Sequence, residues 1–252
     1  MNEASAPMIV LFTDFGLDGP YVGQIKAVLA EQAPGIQLLD LLHNAPRFNA
    51  PASAHLLAAY ISSFPTDSVV LGIVDPGVGD EQRKPVAMNI AGRWFVGPAN
   101  GLFDVLAARA ILAQQGVECW EITWRPEALS NSFHGRDLFA PVAARLACRE
   151  EPPGVRVDGS VPASAADDLF EIIYIDYFGN AISGVRASHL DQSVTLQIGG
   201  QNITRATTFS DVPVGCPFWY ENANGLVEFA VNQGSAAETF NLSVGDRIVV
   251  DL

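Results

Sequence analysis

The strongest constraint on how this chain folds is a change of hydrophobic period past its middle. Up to Glu150, short apolar runs alternate with segments whose apolar residues recur at helical spacing; beyond Asp168 only short strand-like runs remain. MIVLF (8–12), IQLLDL (36–41) and SVVLGIV (68–74) read as buried strands, and VAMNI and RWFVG as a strand pair. YVGQIKAVLAEQ (21–32) places Val22, Ile25, Val28 and Leu29 on one helical face. Segments 50–64, 101–115 and 138–150 also read as helices. Strands alternating with helices predict an α/β N-terminal domain with a mostly parallel sheet over residues 8–150.

The stretch EEPPGVRVDGSVPASAADD is rich in Pro, Gly, Ser and acids, so residues 151–168 read as a linker. FEIIYID, SVTLQI, NITRATTF, LVEFAV and RIVVDL follow as strands broken by turns such as GGQN and NANG. They predict a smaller all-β, barrel-like antiparallel domain over 169–252. Hydrophobic residues make up 49% of the 252 residues and charged residues 17%, enough apolar material for two cores. The net charge of −14 argues against nucleic acid, whose phosphates require clustered Lys and Arg, and suits a cationic small molecule. Cys119, Cys148 and Cys216 are far apart and form no CxxC, which speaks against a disulfide framework or zinc site and for a cytoplasmic location. The start MNEASAP lacks the basic segment of a signal peptide, and the apolar run 102–113 is broken by Asp104 and Arg109, so no membrane association is expected.

Four polar junctions follow predicted strands or precede predicted helices. In FTDFGLDGPYVG, Asp14 stands at a strand end, where open parallel sheets bind ligands. A carboxylate there either accepts ribose hydroxyls or is a turn residue capping the next helix; Asp18 is also read as that helix's cap, with Pro20 near the first helical position. In VDPGVGDEQR, Asp75 ends a strand, and Gly77 and Gly79 allow a sharp turn that matches no phosphate-loop spacing. It is a site carboxylate or a solvated turn residue. In GPANGLFDVL, Asn100 reads as a structural N-cap. In NSFHGRDLFAP, His134 is either a buried structural histidine or, beside Asp75 and an arginine, a group that positions or deprotonates water. His43 and His189 lack such a context, and His55 lies within a helical pattern. In the second half, IDYFGNAI groups Asp176, Phe178 and Asn180 around a glycine turn, and VNQGSAAETF reads as a loop. There is neither a GxSxG elbow nor HExxH.

Taken in order, TDFG, VDPGVG, GPANGL, FHGRDLFAPVA, IDYFGN and NQGSAAE resemble the S-adenosyl-L-methionine hydrolases (hydroxide adenosyltransferases), relatives of the fluorinase and chlorinase enzymes. The resemblance implies two domains and a homotrimer whose sites lie between subunits. It also implies attack of water or hydroxide on C5′ of S-adenosylmethionine, giving adenosine and L-methionine without metal or cofactor. It assigns Asp75, His134 and an arginine to the nucleophile. The family's arginine position holds Gln82 here and Arg83 follows, so either Arg83 takes the role or the arginine function is altered. Asp14 matches the ribose contact, Asp176 the group near the methionine amine, Asn180 an adenosine contact and Phe178 a plate for the base. Asn232 and Ala236 fall in the adenine-binding segment. Halide transfer by a chlorinase-like enzyme, and binding of S-adenosylmethionine or adenosine without turnover, are the alternatives; retention of Asp75 and His134 favours water.

Overall fold

The computed structural model describes residues 7–80 and 82–251. The acidic start over 1–6, Glu81 in the VDPGVG segment and Leu252 at the last predicted strand lie outside the described residues. The chain divides into two compact units, residues 1–54 with 62–166 and residues 55–61 with 167–252.

In the first unit, β1 (Met8–Thr13), β2 (Gln37–Leu42), β3 (Val69–Ile73), β4 (Pro85–Ile90), β5 (Arg93–Pro98), β6 (Val117–Ile122) and β7 (Gly154–Val157) form one sheet, ordered β2-β1-β3-β5-β4-β6-β7. β1 runs parallel to β2 and β3, and β3 to β5. The β4–β5, β4–β6 and β6–β7 pairs are antiparallel. The sheet is therefore mixed rather than mostly parallel. The physical cause is a tight turn: Ala91 and Gly92 take φ of 51° and 89°, and two left-handed central residues fold the chain straight back without a crossover. Part of the 151–168 segment is ordered as well, since β7 pairs with β6 along the sheet edge.

Strand order reverses at β1. The chain leaves β1 through α1 (Tyr21–Gln32) to β2 on one side, then passes through α2 (Ala50–Tyr60) to β3 on the other. The carboxyl ends of β1 and β3 are adjacent, with Thr13 in register with Ile73, and such a switch point opens a crevice. Ile25 and Leu29 of α1 join Leu138, Phe139, Val142 and Leu146 in a core against Ile9, Leu11, Leu71 and Ile73.

The helix ends differ from expectation. Pro20, not Asp18, occupies the α1 N-cap, with no side-chain cap. The 50–64 segment leaves the α-helix at Tyr60 for a 3₁₀ turn over Ile61–Ser63. α3 spans Asp104–Leu112, and Asn100 serves the loop before it instead of capping it. α4 (Ala140–Ala147) is preceded by a π turn over Gly135–Phe139. Among the described residues no helix is long and apolar enough to cross a membrane.

The second unit is strand-rich. β8 (Leu169–Ile175), β9 (Ala181–Arg186), β12 (Pro217–Glu221) and β13 (Leu226–Val231) form an antiparallel sheet, ordered β12-β13-β9-β8. β10 (Thr195–Ile198), β11 (Gln201–Ile203) and β14 (Val249–Asp251) form another. Trp219, Phe229, Ile172, Val227, Leu196 and Ile198 fill its core. Three details depart from the sequence reading. NITRATTF forms a strand only as far as Ile203, PFWYE is a strand, and Ala236–Phe240 is a helical turn, α5, rather than loop. Ser235 caps α5 by accepting the Glu238 N–H at 3.1 Å; the S-x-x-E pattern was the available signal.

Candidate active site

The N-terminal half of the site is assembled at the β1/β3 switch point. Asp75 leaves β3, accepts the Gly77 N–H at 3.2 Å on Oδ1 and pairs through Oδ2 with the Arg83 guanidinium. Both side chains are buried, Arg83 9% and Asp75 6% exposed. Gln82 is exposed, and its backbone N–H is engaged with Asp80 at 2.9 Å. Of the two candidates, Arg83 is thus the one beside Asp75. Burial pushes the Asp75 carboxyl above its ordinary range, and Arg83 opposes this without cancelling it.

His134 stands at the entry to the π turn, a feature frequent at functional sites. Its ring makes no hydrogen bond among the described residues and lines a cavity of about 340 Å³ with Arg83, Lys84, Arg125 and Asp80. Burial, and then Arg83, lower its pKa below the usual 6.5, so the ring is neutral at pH 7. Gly135 packs closely: a Cβ would meet Ile73 Cδ1 at 3.1 Å and Phe133 Cε2 at 3.2 Å, and those side chains would have to give by a few tenths of an ångström. The Arg136–Asp137 pair of the motif is scaffolding. Asp137 accepts Arg136 Nε at 2.5 Å and the Ser130 N–H at 2.9 Å; burial pushes its pKa up, but these partners outweigh it and hold it at about 2.

Asp14 leaves β1 half-buried and accepts the Phe48 N–H at 3.3 Å. Burial raises its pKa, and the neighbouring Asp75 adds to the rise. Phe133 packs edge-on against Phe15 and Tyr21, which are tilted to each other, with centroids 5.2–5.9 Å apart, and the three rings tie the Asp14 loop to the His134 loop. The structure thus brings Asp14, Asp75, Arg83 and His134 together.

In the second unit, a cavity of about 690 Å³ gathers Asp176, Phe178 and Asn180 with Phe209, Tyr220 and Glu228. Asp176 Oδ1 accepts the Phe178 and Asn180 N–H groups at 2.9 and 2.8 Å, and Oδ2 accepts Asn180 Nδ2 at 3.1 Å. The turn depends on Gly179, whose φ is +82° and whose added Cβ would lie 2.1 Å from Ser235 Oγ. Phe178 and Tyr177 are 74% and 98% exposed. Asn232 donates Nδ2 to the Val212 carbonyl at 2.8 Å, and Ala236 is fully buried in the core. Gln233, Gly234 and Ser235, between those two positions, line the cavity.

Glu228 is the residue the sequence reading missed. It is 5% exposed, accepts Tyr220 Oη at 2.5 Å and Asn222 Nδ2 at 2.9 Å, and burial raises its pKa. An acid inside LVEFAV was a usable signal, because an ion in a wholly buried strand needs partners or a ligand.

Comparison with known proteins bears on both units. Residues 9–156 match the SAM hydroxide adenosyltransferase N-terminal domain, and residues 170–249 match the corresponding C-terminal domain. The (R)-S-adenosyl-L-methionine hydrolase of Thermus thermophilus is 38% identical over 94% of this chain and 96% of its own. A crystal structure of an uncharacterized conserved protein from Thermotoga maritima superposes with a TM-score of 0.84 at 30% identity, covering 97% of this chain and 100% of that one. A fluorinase from Nocardia brasiliensis is more distant, 24% identical over 97% of this chain and 96% of its own.

Proposed function

This chain belongs to the SAM hydroxide adenosyltransferase family, and we propose that it hydrolyses S-adenosyl-L-methionine to adenosine and L-methionine. The observation that carries the reading is the buried Asp75–Arg83 pair beside a His134 ring that makes no hydrogen bond among the described residues. The sulfonium substrate is cationic, in keeping with the net charge of −14.

In this reading water attacks C5′ in line with the C5′–S bond. The C–O bond forms, the C–S pair leaves on sulfur, and methionine departs as a neutral thioether. No acid is needed for that leaving group, and no metal or cofactor is called on. The work of the site is to hold the water and take its proton. Neutral His134 accepts that proton, while Asp75, oriented by Arg83, fixes the water. Asp14 accepts the ribose hydroxyls, Asp176 and Asn180 serve the methionine amine and the adenosine, and Phe178 packs on the base. The Asn232–Ala236 segment contributes backbone beside the adenine. The relatives' name points to the (R) sulfonium epimer.

The two half-sites complete one another in a homotrimer of a cytoplasmic enzyme, each active centre shared between subunits. Exposed Tyr177 and Phe178 on one half, and Leu17 and Phe48 beside Asp14 on the other, support this. The sheets of the C-terminal unit form a barrel-like domain, supported by the isolated bridges Arg205–Trp219 and Glu171–Arg247.

The test is incubation with S-adenosylmethionine in chloride-free and chloride-containing buffer, with products resolved by chromatography and mass detection. Adenosine and methionine are expected in both. A 5′-chloro product formed only with chloride would move the chain to halide transfer; bound nucleoside without turnover would make it a binding protein.

A further inference from the structure

His43 received no role from the sequence, yet one ring nitrogen is hydrogen-bonded and the other faces a carboxylate. Thr13 Oγ1 lies 2.9 Å from Nδ1, and Asp40 Oδ1 lies 3.0 Å from Nε2 in an off-axis contact. Lys26 Nζ holds the other Asp40 oxygen at 2.6 Å. His43 is 4% and Thr13 1% exposed, so the hydroxyl has no access to a substrate and cannot act as a nucleophile.

The proton arrangement follows from the partners. In the neutral ring the Asp40 carboxylate, which only accepts, favours the tautomer with hydrogen on the nitrogen that faces it, Nε2. Nδ1 is then an acceptor, and the Thr13 hydroxyl must donate to it. That leaves the Thr13 oxygen lone pairs for the Phe15 N–H, which reaches Oγ1 at 3.4 Å. The His43 carbonyl meanwhile accepts the Gly16 N–H at 2.6 Å, and the Thr13 carbonyl accepts the Ala45 N–H at 3.1 Å. The peptide units on both sides of Phe15 are thus tied to one histidine, and Asp14 N donates to Ile73 O at 3.3 Å on the other flank. The backbone around Asp14 is fixed by these ties, and its carboxylate is held by the Phe48 N–H.

We infer that Thr13, His43 and Asp40 are positioning residues: the Thr13–His43 hydrogen bond, with Asp40 facing the other ring nitrogen as a charge partner, forms a relay that fixes the turn after β1 so that its carboxylate, Asp14, keeps the orientation that grips two ribose hydroxyls. The inference rests on the proposed role of Asp14. Its chemistry is that of vicinal diol recognition, which requires one carboxylate aimed at two O–H groups at once. A turn free to rock would still bind the base but would lose the diol contact.

The experiment measures affinity by calorimetry for adenosine and for 2′,3′-dideoxyadenosine, in wild type, Thr13→Val, Thr13→Ser and Asp40→Asn. Thr13→Val keeps the shape and removes the hydroxyl; Asp40→Asn changes a half-exposed side chain and keeps the fold safe should the buried variant misfold. Thr13→Val is expected to weaken adenosine by about tenfold, the scale of a misdirected polar contact, while leaving the dideoxy ligand unchanged. Thr13→Ser should restore adenosine affinity, and Asp40→Asn should fall between. Equal adenosine affinity in folded Thr13→Val and Asp40→Asn, or equal losses for both ligands, would overturn the relay. Wild-type protein that binds neither nucleoside would instead overturn the proposed function on which it rests.

Discussion

Replacing Arg83 with methionine isolates the electrostatics of the candidate site. The change keeps the apolar stem and removes the guanidinium paired with Asp75, leaving it the Gly77 N–H at 3.2 Å. The carboxylate is 6% exposed, so solvent screens little of the loss. Stripping one partner from a buried pair costs about 3–5 kcal/mol. Proton uptake by Asp75 limits that cost. Relative to an unfolded pKa of about 3.9, protonation costs ~1.4 kcal/mol per pH unit, so the ceiling is about 5 kcal/mol at about pH 7.5 and about 2 kcal/mol at about pH 5.5. The sign follows from proton binding. Folded Arg83→Met holds a proton that the unfolded chain has released, so its stability falls as pH rises from about 3.9 toward the raised folded value. Urea unfolding followed by Trp94, Trp120 and Trp124, all in the first unit, reads this. The deficit against wild type should be larger at about pH 7.5 than at about pH 5.5, by ~1–3 kcal/mol. Either of two results refutes the reasoning: a deficit below about 1 kcal/mol at the higher pH, which would mean that Asp75 is not left buried without a partner, or the same deficit at both, which would mean that it takes up no extra proton.

Other outcomes follow from the same geometry. His134→Ala should lower kcat for S-adenosylmethionine by about a hundredfold or more. In wild type the acid limb of the rate profile should fall with a pKa below 6.5, since burial and Arg83 depress the ring; a limb above 6.5 would contradict a neutral His134 as proton acceptor. Gly179→Ala forces a Cβ onto Ser235 Oγ at a φ of +82°, and adenosine binding should be lost with ~1–3 kcal/mol of stability; unchanged thermal unfolding would show that the turn relaxes. Asn232→Ala should cost about 1 kcal/mol through the bond to Val212 and leave adenosine affinity near wild type. A large affinity loss at unchanged stability would make Asn232 a ligand contact.

Local signals made much of this protein legible. The strand ends carrying Asp14 and Asp75, the loop carrying His134 and the Asp176 turn were all visible as polar junctions beside apolar runs, because period and turn chemistry are short-range properties. The π turn after His134 was not visible. Leu138 and Phe139 read as the start of an α-helix and residues 135–137 as the junction before it, while in the fold Gly135 lies close against Ile73 and Ile25. β12 was missed because PFWYE shows little alternation, and its strand state depends on pairing with β13.

The sequence by itself determined the alternating first half, the β-rich second half and the residue types gathered at each junction, since these follow from side-chain hydrophobicity and backbone preference along the chain. Only the tertiary structure shows that Arg83, and not Gln82, stands beside Asp75. Arg83 turns inward onto the Asp75 carboxylate while Gln82 faces solvent, and neighbouring positions in a polar turn carry no local signal of which will do so. The same holds for Glu228, whose partners Tyr220 and Asn222 lie across or beyond a strand turn, and for His43, thirty positions from Thr13. Burial and hydrogen-bond partnership between distant residues are properties of the folded sheet, and no local pattern encodes them.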